Sequence, residues 1–407
     1  MKKILLIICD GMGDRPIESL GGKTPLQVAN KRNFDWLAKN GICGLMDPIA
    51  PGIRPGSDTS HLAIFGYDPH ACYTGRGPFE AVGVGLKLEP GDVAFRCNFA
   101  TVDDDLTVID RRAGRITSGT EEIAGTLDGQ EIGDAKTILR PGTAHRAVLI
   151  LRGQGLSWKV SDADPHEKGK KVMQVIPLEG DAKKTAEIVN EFVRRSYELL
   201  KSHPVNLKRK KKGKLPANII LLRGAGIWTP LQSFQERHGL TGATISGVTL
   251  VRGICTSLNM EILEVKGATG GLDTDMIAKA DAAMMALGSN DFVYLHVKAA
   301  DICGHDGLVE EKVRVIERLD EMLGHLRHQL DEETILAVTA DHSTPIEVGD
   351  HSGDPVPLLI FGPGVRTDKI SQFDEVSVVG GGLGHPRGCD LMNILMNLAG
   401  TAEKYGA

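Results

Sequence analysis

Acidic and histidine side chains recur where short apolar runs end. Asp10 follows the run at residues 4–9, Asp301 and His305 follow Phe292–Val297, Asp341 and His342 follow Thr334–Thr339, and His351 precedes a run that begins near Val356. Continuous apolar runs of this length are the pattern of strands buried on both faces of a parallel sheet. The carboxyl ends of such strands are where open α/β sheets present ligands. Carboxylates and imidazoles suit Mn²⁺ or Zn²⁺, and six of them are too many for one tetrahedral ion but natural for two neighbouring ions. Any one of these residues alone would read as a cap or a turn. Asp301-Ile302-Cys303-Gly304-His305, Ala340-Asp341-His342-Ser343 and His351-Ser352-Gly353-Asp354-Pro355-Val356-Pro357 come in order within a short stretch, and together with Asp10 they carry a two-metal reading.

Regular elements must bring these groups to one edge. Thr24-Pro25 reads as an N-cap followed by Pro at the first helical position, with Leu26, Ala29, Leu37 and Ala38 as the apolar stripe and Gly41 as the stop. A stiff loop at residues 51–56 delivers Ser57-Asp58-Thr59-Ser60-His61 into a short apolar segment, where Ser57 or Asp58 could cap a helix. From about Tyr73 to His238 the texture changes. Strands are predicted at 93–101, 106–110, 147–151 and 219–222, one long helix at 181–202, and a solvated loop over the basic run Lys208-Arg209-Lys210-Lys211-Lys212. The α/β rhythm then returns, with strands at 260–265, Phe292–Val297, Thr334–Thr339 and Val356–Phe361 and helices at 275–287, 308–330 and 390–398. The expected fold is α/β: a mostly parallel sheet with helices on both faces, built from residues 1–72 and 236–407, plus a smaller α+β domain inserted at 73–235.

Composition narrows the function. The 407 residues are 41% hydrophobic and 25% charged, the composition of a soluble globular protein, and the net charge of −6 gives no general attraction to nucleic acid or anionic membrane. Seven scattered cysteines without a Cys-x-x-Cys pair fit neither a disulfide scaffold nor a zinc ribbon, so a reducing cytoplasm is expected. The apolar start at 4–9 is too short for a signal peptide, and no stretch approaches the ~18 apolar residues of a membrane span. Gly21-Gly22-Lys23-Thr24 imitates the tail of a P-loop, but Ile17 stands where that motif needs glycine, which excludes it. Gly380-Gly381-Gly382-Leu383-Gly384 does not join a clear strand to a helix and reads as a mobile loop near the active site rather than a dinucleotide fingerprint. The sequence leaves the oligomeric state open, a homo-oligomer included.

With these motifs in place, the sequence resembles the alkaline phosphatase superfamily, and within it the archaeal-type cofactor-independent phosphoglycerate mutases. That family carries an Asp after the first strand, a Ser that becomes phosphorylated, an Asp-x-x-Gly-His motif, an Asp-His pair and a His shortly before Asn/Asp-Pro-Val-Pro, and all five occur here in order. Ser57-Asp58-Thr59-Ser60-His61-Leu62 is similar to the nucleophile segment, with Gly56 and Ser60 as departures from its bacterial form. The resemblance implies that Asp301, His305 and His351 hold one metal and that Asp10, Ser57, Asp341 and His342 hold the other. It implies interconversion of 3-phosphoglycerate and 2-phosphoglycerate through phosphorylated Ser57, without 2,3-bisphosphoglycerate. Coordination to a divalent cation would lower the serine pKa, and two ions would stabilise the entering and leaving oxygens. Mn²⁺ is the expected metal, with Zn²⁺, Co²⁺ and Mg²⁺ open to the same ligands.

A mutase must also hold the intermediate acid and exclude water. The inserted domain would do so by closing over the site and clamping carboxylate and phosphate with arginines. Arg111 and Arg115, in Asp110-Arg111-Arg112-Ala113-Gly114-Arg115, loosely resemble an Asp-Arg-x-x-x-Arg element of bacterial mutases. Arg223 after a strand and Arg96 are further candidates. Asp110, Asp162 and Asp164 are conceivable proton shuttles. The rival readings share the metal site: a phosphomonoesterase, or a phosphotransferase acting on a pentose phosphate or homoserine.

Overall fold

The computed structural model describes residues 2–404 and 406. Two compact units are formed, Met1–Tyr73 with Gln232–Ala407, and Thr74–Leu231.

The first unit is built on a seven-stranded sheet in the order Glu261–Ile262, Gly242–Ile245, Phe292–Val297, Lys3–Cys9, Thr334–Thr339, Val356–Phe361, Ile42–Met46. Only Val356–Phe361 runs against the rest. The three central strands are the apolar runs that end in chemistry: Cys9 pairs with Val297 and Ile8 with Thr339, so Asp10, Lys298 and Ala340-Asp341 emerge side by side. Every residue of Phe292–Val297 and Thr334–Thr339 is buried, as a strand covered by helices on both faces requires. Met276–Leu287 and Val309–Arg327 belong to one helical layer, and Ser57–Ile64, Thr249–Ser257 and Gly388–Ala399 to the other.

The second unit is antiparallel. Val93–Val102 pairs with Arg146–Arg152, Ile219–Ile227 and Val108–Asp110, and Ala135–Pro141 and Glu131–Ile132 extend the sheet. Lys183–Leu200 packs Ala186, Val189, Phe192 and Val193 into that unit's core.

Several elements differ from the sequence reading. The helix expected from Thr24 to Gly41 is two, Pro25–Val28 and Arg32–Asn40, because Ala29 leaves the helix at φ −58, ψ 143. The second starts without a cap of its own; Asp320 from another helix accepts from the backbone N–H groups of Asn33 and Phe34, both at 2.8 Å. The basic run is helical rather than a loop. It forms the last turn of Pro204–Lys211, where cations face the negative end of the helix dipole, and His203 caps the start. The strand expected at 260–265 shrinks to Glu261–Ile262, while Gly242–Ile245, Thr249–Ser257, Thr120–Leu127 and Ala135–Pro141 are elements the sequence reading did not assign. Gly380–Gly384 is no free loop: the N–H of Leu383 donates to Cys43 and that of Leu45 donates to Gly384, fastening the segment to a sheet edge. Among the described residues no helix is long and apolar enough to cross a membrane, and all seven cysteines are free.

Glu375 gives a pH test of this unit. It accepts from Thr24 Oγ1 at 2.6 Å and from the Asp14 N–H at 3.0 Å, and burial raises its pKa from 4.5 to about 7. The folded chain therefore binds this proton more tightly than the unfolded chain, a stabilisation fully present below about pH 4.5 and lost as pH rises through about 7. Glu375→Gln, neutral at every pH, should raise stability at pH 8 by about 1–3 kcal/mol and leave it nearly unchanged at pH 4.5. Denaturant melts at the two pH values read the difference, and an equal shift at both would contradict it.

Candidate active site

The strand ends converge on two sets of metal-ligand atoms. Asp301, His305 and His351 form one and Asp10, Asp341 and His342 the other, with the donor atoms of each set within 4.8 Å of one another. Asp301 and His305 lie on the helix Ala299–Asp306 that follows Phe292–Val297, four residues apart and so on one face. The rings of His342 and His351 stack at 3.5 Å between centroids and join the two sets.

Each histidine is turned by its second nitrogen. His305 Nδ1 lies 3.0 Å from the Gly349 carbonyl and His351 Nδ1 lies 2.9 Å from the Pro55 carbonyl, so both nitrogens must donate. Their Nε2 atoms face Asp301 Oδ1 at 3.4 and 3.5 Å. Thr344 donates its hydroxyl to Asp301 Oδ1 and accepts from His342 Nδ1 at 3.1 Å, which frees His342 Nε2. Donation from the remote ring nitrogen to a fixed oxygen is how metal-ligating histidines are oriented.

Ser57 joins this constellation. It is the first residue of the helix Ser57–Ile64, capped by Gly56 rather than by Ser57 or Asp58, so its side chain is not spent on the cap. Its Oγ lies 3.2 Å from His342 Nε2. The Ser57 carbonyl accepts from His61 Nδ1, and Tyr73 donates its hydroxyl to Asp58 Oδ2 at 2.5 Å, bracing the helix start.

The electrostatics fit cations. Asp10 Oδ1 and both oxygens of Asp341 are buried with no hydrogen-bond partner among the described residues. Burial, and then the neighbouring Asp10 charge, push Asp341 well above the usual carboxylate range. Burial also lowers His342 to about 3, so its ring is neutral and a ready donor. Buried oxygens without donors beside neutral imidazoles are a donor set suited to divalent ions.

Two residues missed in the sequence complete the site. His296 donates from Nε2 to Asp10 Oδ2 at 3.0 Å, and Lys298 Nζ lies 3.0 Å from Asp10 Oδ2 and 2.6 Å from Asp301 Oδ2. Both had a signal: His296 is the one imidazole in a buried apolar strand, and Lys298 is a charge at that strand's carboxyl end.

Gly11 makes the packing possible. Its φ is +67, and a Cβ there would stand 2.6 Å from both Asp301 Cα and Thr344 Oγ1. Gly11→Ala should therefore cost on the order of 2 kcal/mol or more and push Asp301 from its place. Thermal unfolding and metal content measured together check this, and a variant with wild-type values for both would contradict it.

The four arginine candidates lie apart from these ligand sets in sequence, in the second unit. Arg96 and Arg223 are opposite each other on adjacent strands. The Nε of each is buried without a hydrogen bond among the described residues. Burial, and then Arg76, hold Arg96 well below the usual guanidinium range; burial also lowers Arg223, against the opposing pull of Asp164. Arg111 is bound to Asp164 by two hydrogen bonds, of 2.9 and 2.6 Å, and Arg115 is exposed at a left-handed φ of 56. Asp162 and Asp164 are likewise engaged, Asp162 by His166 and by the Gly224 N–H.

The chain is similar over its full length to known proteins. A family model described as 2,3-bisphosphoglycerate-independent phosphoglycerate mutase matches residues 38–206. A protein of that name from Methanothermobacter thermautotrophicus is 51% identical over 100% of both chains. Another from Methanocaldococcus jannaschii is 49% identical over 100% of this chain and 99% of its own. A solved protein of Pyrococcus horikoshii superposes with a TM-score of 0.87 at 41% identity, covering 100% of this chain and 99% of that one. The cofactor-independent phosphoglycerate mutase of Thermoplasma acidophilum superposes at 0.71 with 37% identity, over 98% and 100%. On this full-length likeness, the chain belongs to the 2,3-bisphosphoglycerate-independent phosphoglycerate mutases.

Proposed function

We propose that this protein interconverts 3-phosphoglycerate and 2-phosphoglycerate through phosphorylated Ser57, with no 2,3-bisphosphoglycerate. The observation that carries the reading is Ser57 Oγ at 3.2 Å from His342 Nε2, beside the unpartnered oxygens of Asp10 and Asp341. Asp301, His305 and His351 would hold one divalent ion, and Asp10, Ser57, Asp341 and His342 the other, Mn²⁺ being our choice. Such ions supply Lewis acidity that lowers the serine pKa and offsets charge on the entering and leaving oxygens.

The residues of the chain do the rest. Ser57 presents Oγ at a helix N-terminus, where backbone N–H groups and the dipole favour a phosphate. In the first transfer the Oγ–P bond forms and the bond from phosphorus to substrate O3 breaks; the proton lost by Oγ is balanced by one gained at O3. Glycerate then turns, its O2 attacks phosphorus, the P–Oγ bond breaks, and O2 gives up a proton as Oγ regains one. Of the four arginines, Arg96 and Arg223 are assigned to the substrate's anionic groups, because their guanidinium Nε atoms are buried without a hydrogen bond, although Arg96 Nε also lies 3.7 Å from Glu80. Arg111 is assigned to orienting, through Asp164, and Arg115 to an outer contact.

Phosphorus NMR of the protein with Mn²⁺ and 3-phosphoglycerate tests this. Growth of 2-phosphoglycerate to an equilibrium mixture with little free phosphate is expected. Free phosphate alone would mean a phosphomonoesterase, and no change would turn the reading toward pentose phosphates or another acceptor such as homoserine.

A further inference from the structure

We infer that Lys298 is a positioning residue that ties the two ion sites together, selecting which oxygen of Asp10 and of Asp301 faces an ion and coupling the loading of the pair. The inference rests on the two-ion reading of the site.

The register of the central strands puts Lys298 there. Cys9 pairs with Val297, and the Asp10 N–H donates to the Val297 carbonyl, so the next residues on the two strands, Asp10 and Lys298, are neighbours. Lys298 also precedes Asp301 by three residues at the start of the helix Ala299–Asp306. Its ammonium thus meets one carboxylate from each ligand set, at 3.0 Å to Asp10 and 2.6 Å to Asp301, both carboxylates being 1% exposed.

The oxygens are sorted by these contacts. Lys298 takes the Oδ2 atom of both aspartates, and on Asp10 the same oxygen also accepts from His296. Asp10 Oδ1 is left without a hydrogen bond, 3.5 Å from His342 Nε2. Asp301 Oδ1, which also accepts from Thr344, is the atom near His305 and His351 Nε2. Each carboxylate therefore offers one oxygen to its ligand set and has the other held. A free carboxylate could chelate an ion with both oxygens; one held by an ammonium binds through one. Because a single ammonium holds both, a rotation of either carboxylate on ion binding is felt by the other. The same contacts fix both buried carboxylates in position before any ion arrives.

Co²⁺ titration of the metal-free full-length protein, read by visible absorbance and by bound metal per chain, tests this without using activity. The unaltered protein is expected to take two ions in one concentration range. Lys298→Met should bind them about 10–100-fold more weakly, in two separated phases, with lower absorptivity as the released carboxylates chelate and the coordination number rises. Lys298→Arg, which keeps the charge and donors for both oxygens, should recover most of the affinity. Lys298→Gln, which keeps a donor without the charge, should fall between them and carries the test if Lys298→Met does not fold. A Lys298→Met or Lys298→Gln isotherm and spectrum matching the unaltered protein would overturn the inference. Fewer than two ions on the unaltered protein would instead overturn the two-ion reading beneath it.

Discussion

Ser57→Ala is expected to lower phosphoryl transfer by about 10⁴-fold or more while leaving the fold intact. The loss is large because the Ser57 hydroxyl faces His342 Nε2, and the nucleophile acts as a unit with the groups that activate it. The fold is spared because the helix cap belongs to Gly56, and because the backbone carbonyl of residue 57, which His61 holds, survives the change. Alanine is also a good helix former at that first position. Stability should stay within about 0.5 kcal/mol of the parent, and a coupled assay of 2-phosphoglycerate formation alongside a denaturant melt measures both. Substantial turnover in the variant would remove Ser57 as nucleophile.

His342→Ala should cut activity on the order of 10²- to 10³-fold and lower the number of bound ions. The side chain is fully buried, its Nε2 faces Ser57 Oγ and Asp341, and its ring stacks on His351. Its Nδ1 shares Thr344 with Asp301, so the vacancy also frees a hydrogen bond of the other set. The effect should therefore reach both ions, whereas His305→Ala, on the exposed side with its Nδ1 on the Gly349 carbonyl, should affect mainly one. Metal analysis after gel filtration, paired with activity, separates the two cases. Full occupancy by both ions in both variants would contradict the ligand assignment.

The ligand set was legible because its chemistry is written at strand ends. A buried apolar strand followed at once by Asp10 or Asp341 can be read without knowing the fold, and the register Cys9–Val297 and Ile8–Thr339 then makes neighbours of residues hundreds of positions apart. Lys298 and His296 escaped notice because a lysine before a helix and a histidine inside a strand look ordinary until pairing sets them against Asp10. The split of the first long helix was hidden for a related reason: its second half is capped by Asp320, a side chain from a distant helix that no local pattern reveals. The basic run at 208–212 misled because charge density suggested a loop, whereas Pro204 and the His203 cap start a helix whose last turn accommodates cations. Short strands such as Gly242–Ile245 carry too few residues for a periodic signal and form because the edge of Phe292–Val297 is there to pair with.

The central claim is that phosphate passes through Ser57. The most direct measurement is mass spectrometry of the Mn²⁺-loaded protein mixed with 3-phosphoglycerate, quenched in acid within a turnover and digested. One phosphoryl group on the peptide carrying Ser57, gone after a chase with excess glycerate and absent from Ser57→Ala, is the expected result. Formation of 2-phosphoglycerate with no phosphorylated enzyme at any quench time, or with the phosphoryl group on a different residue, would contradict it.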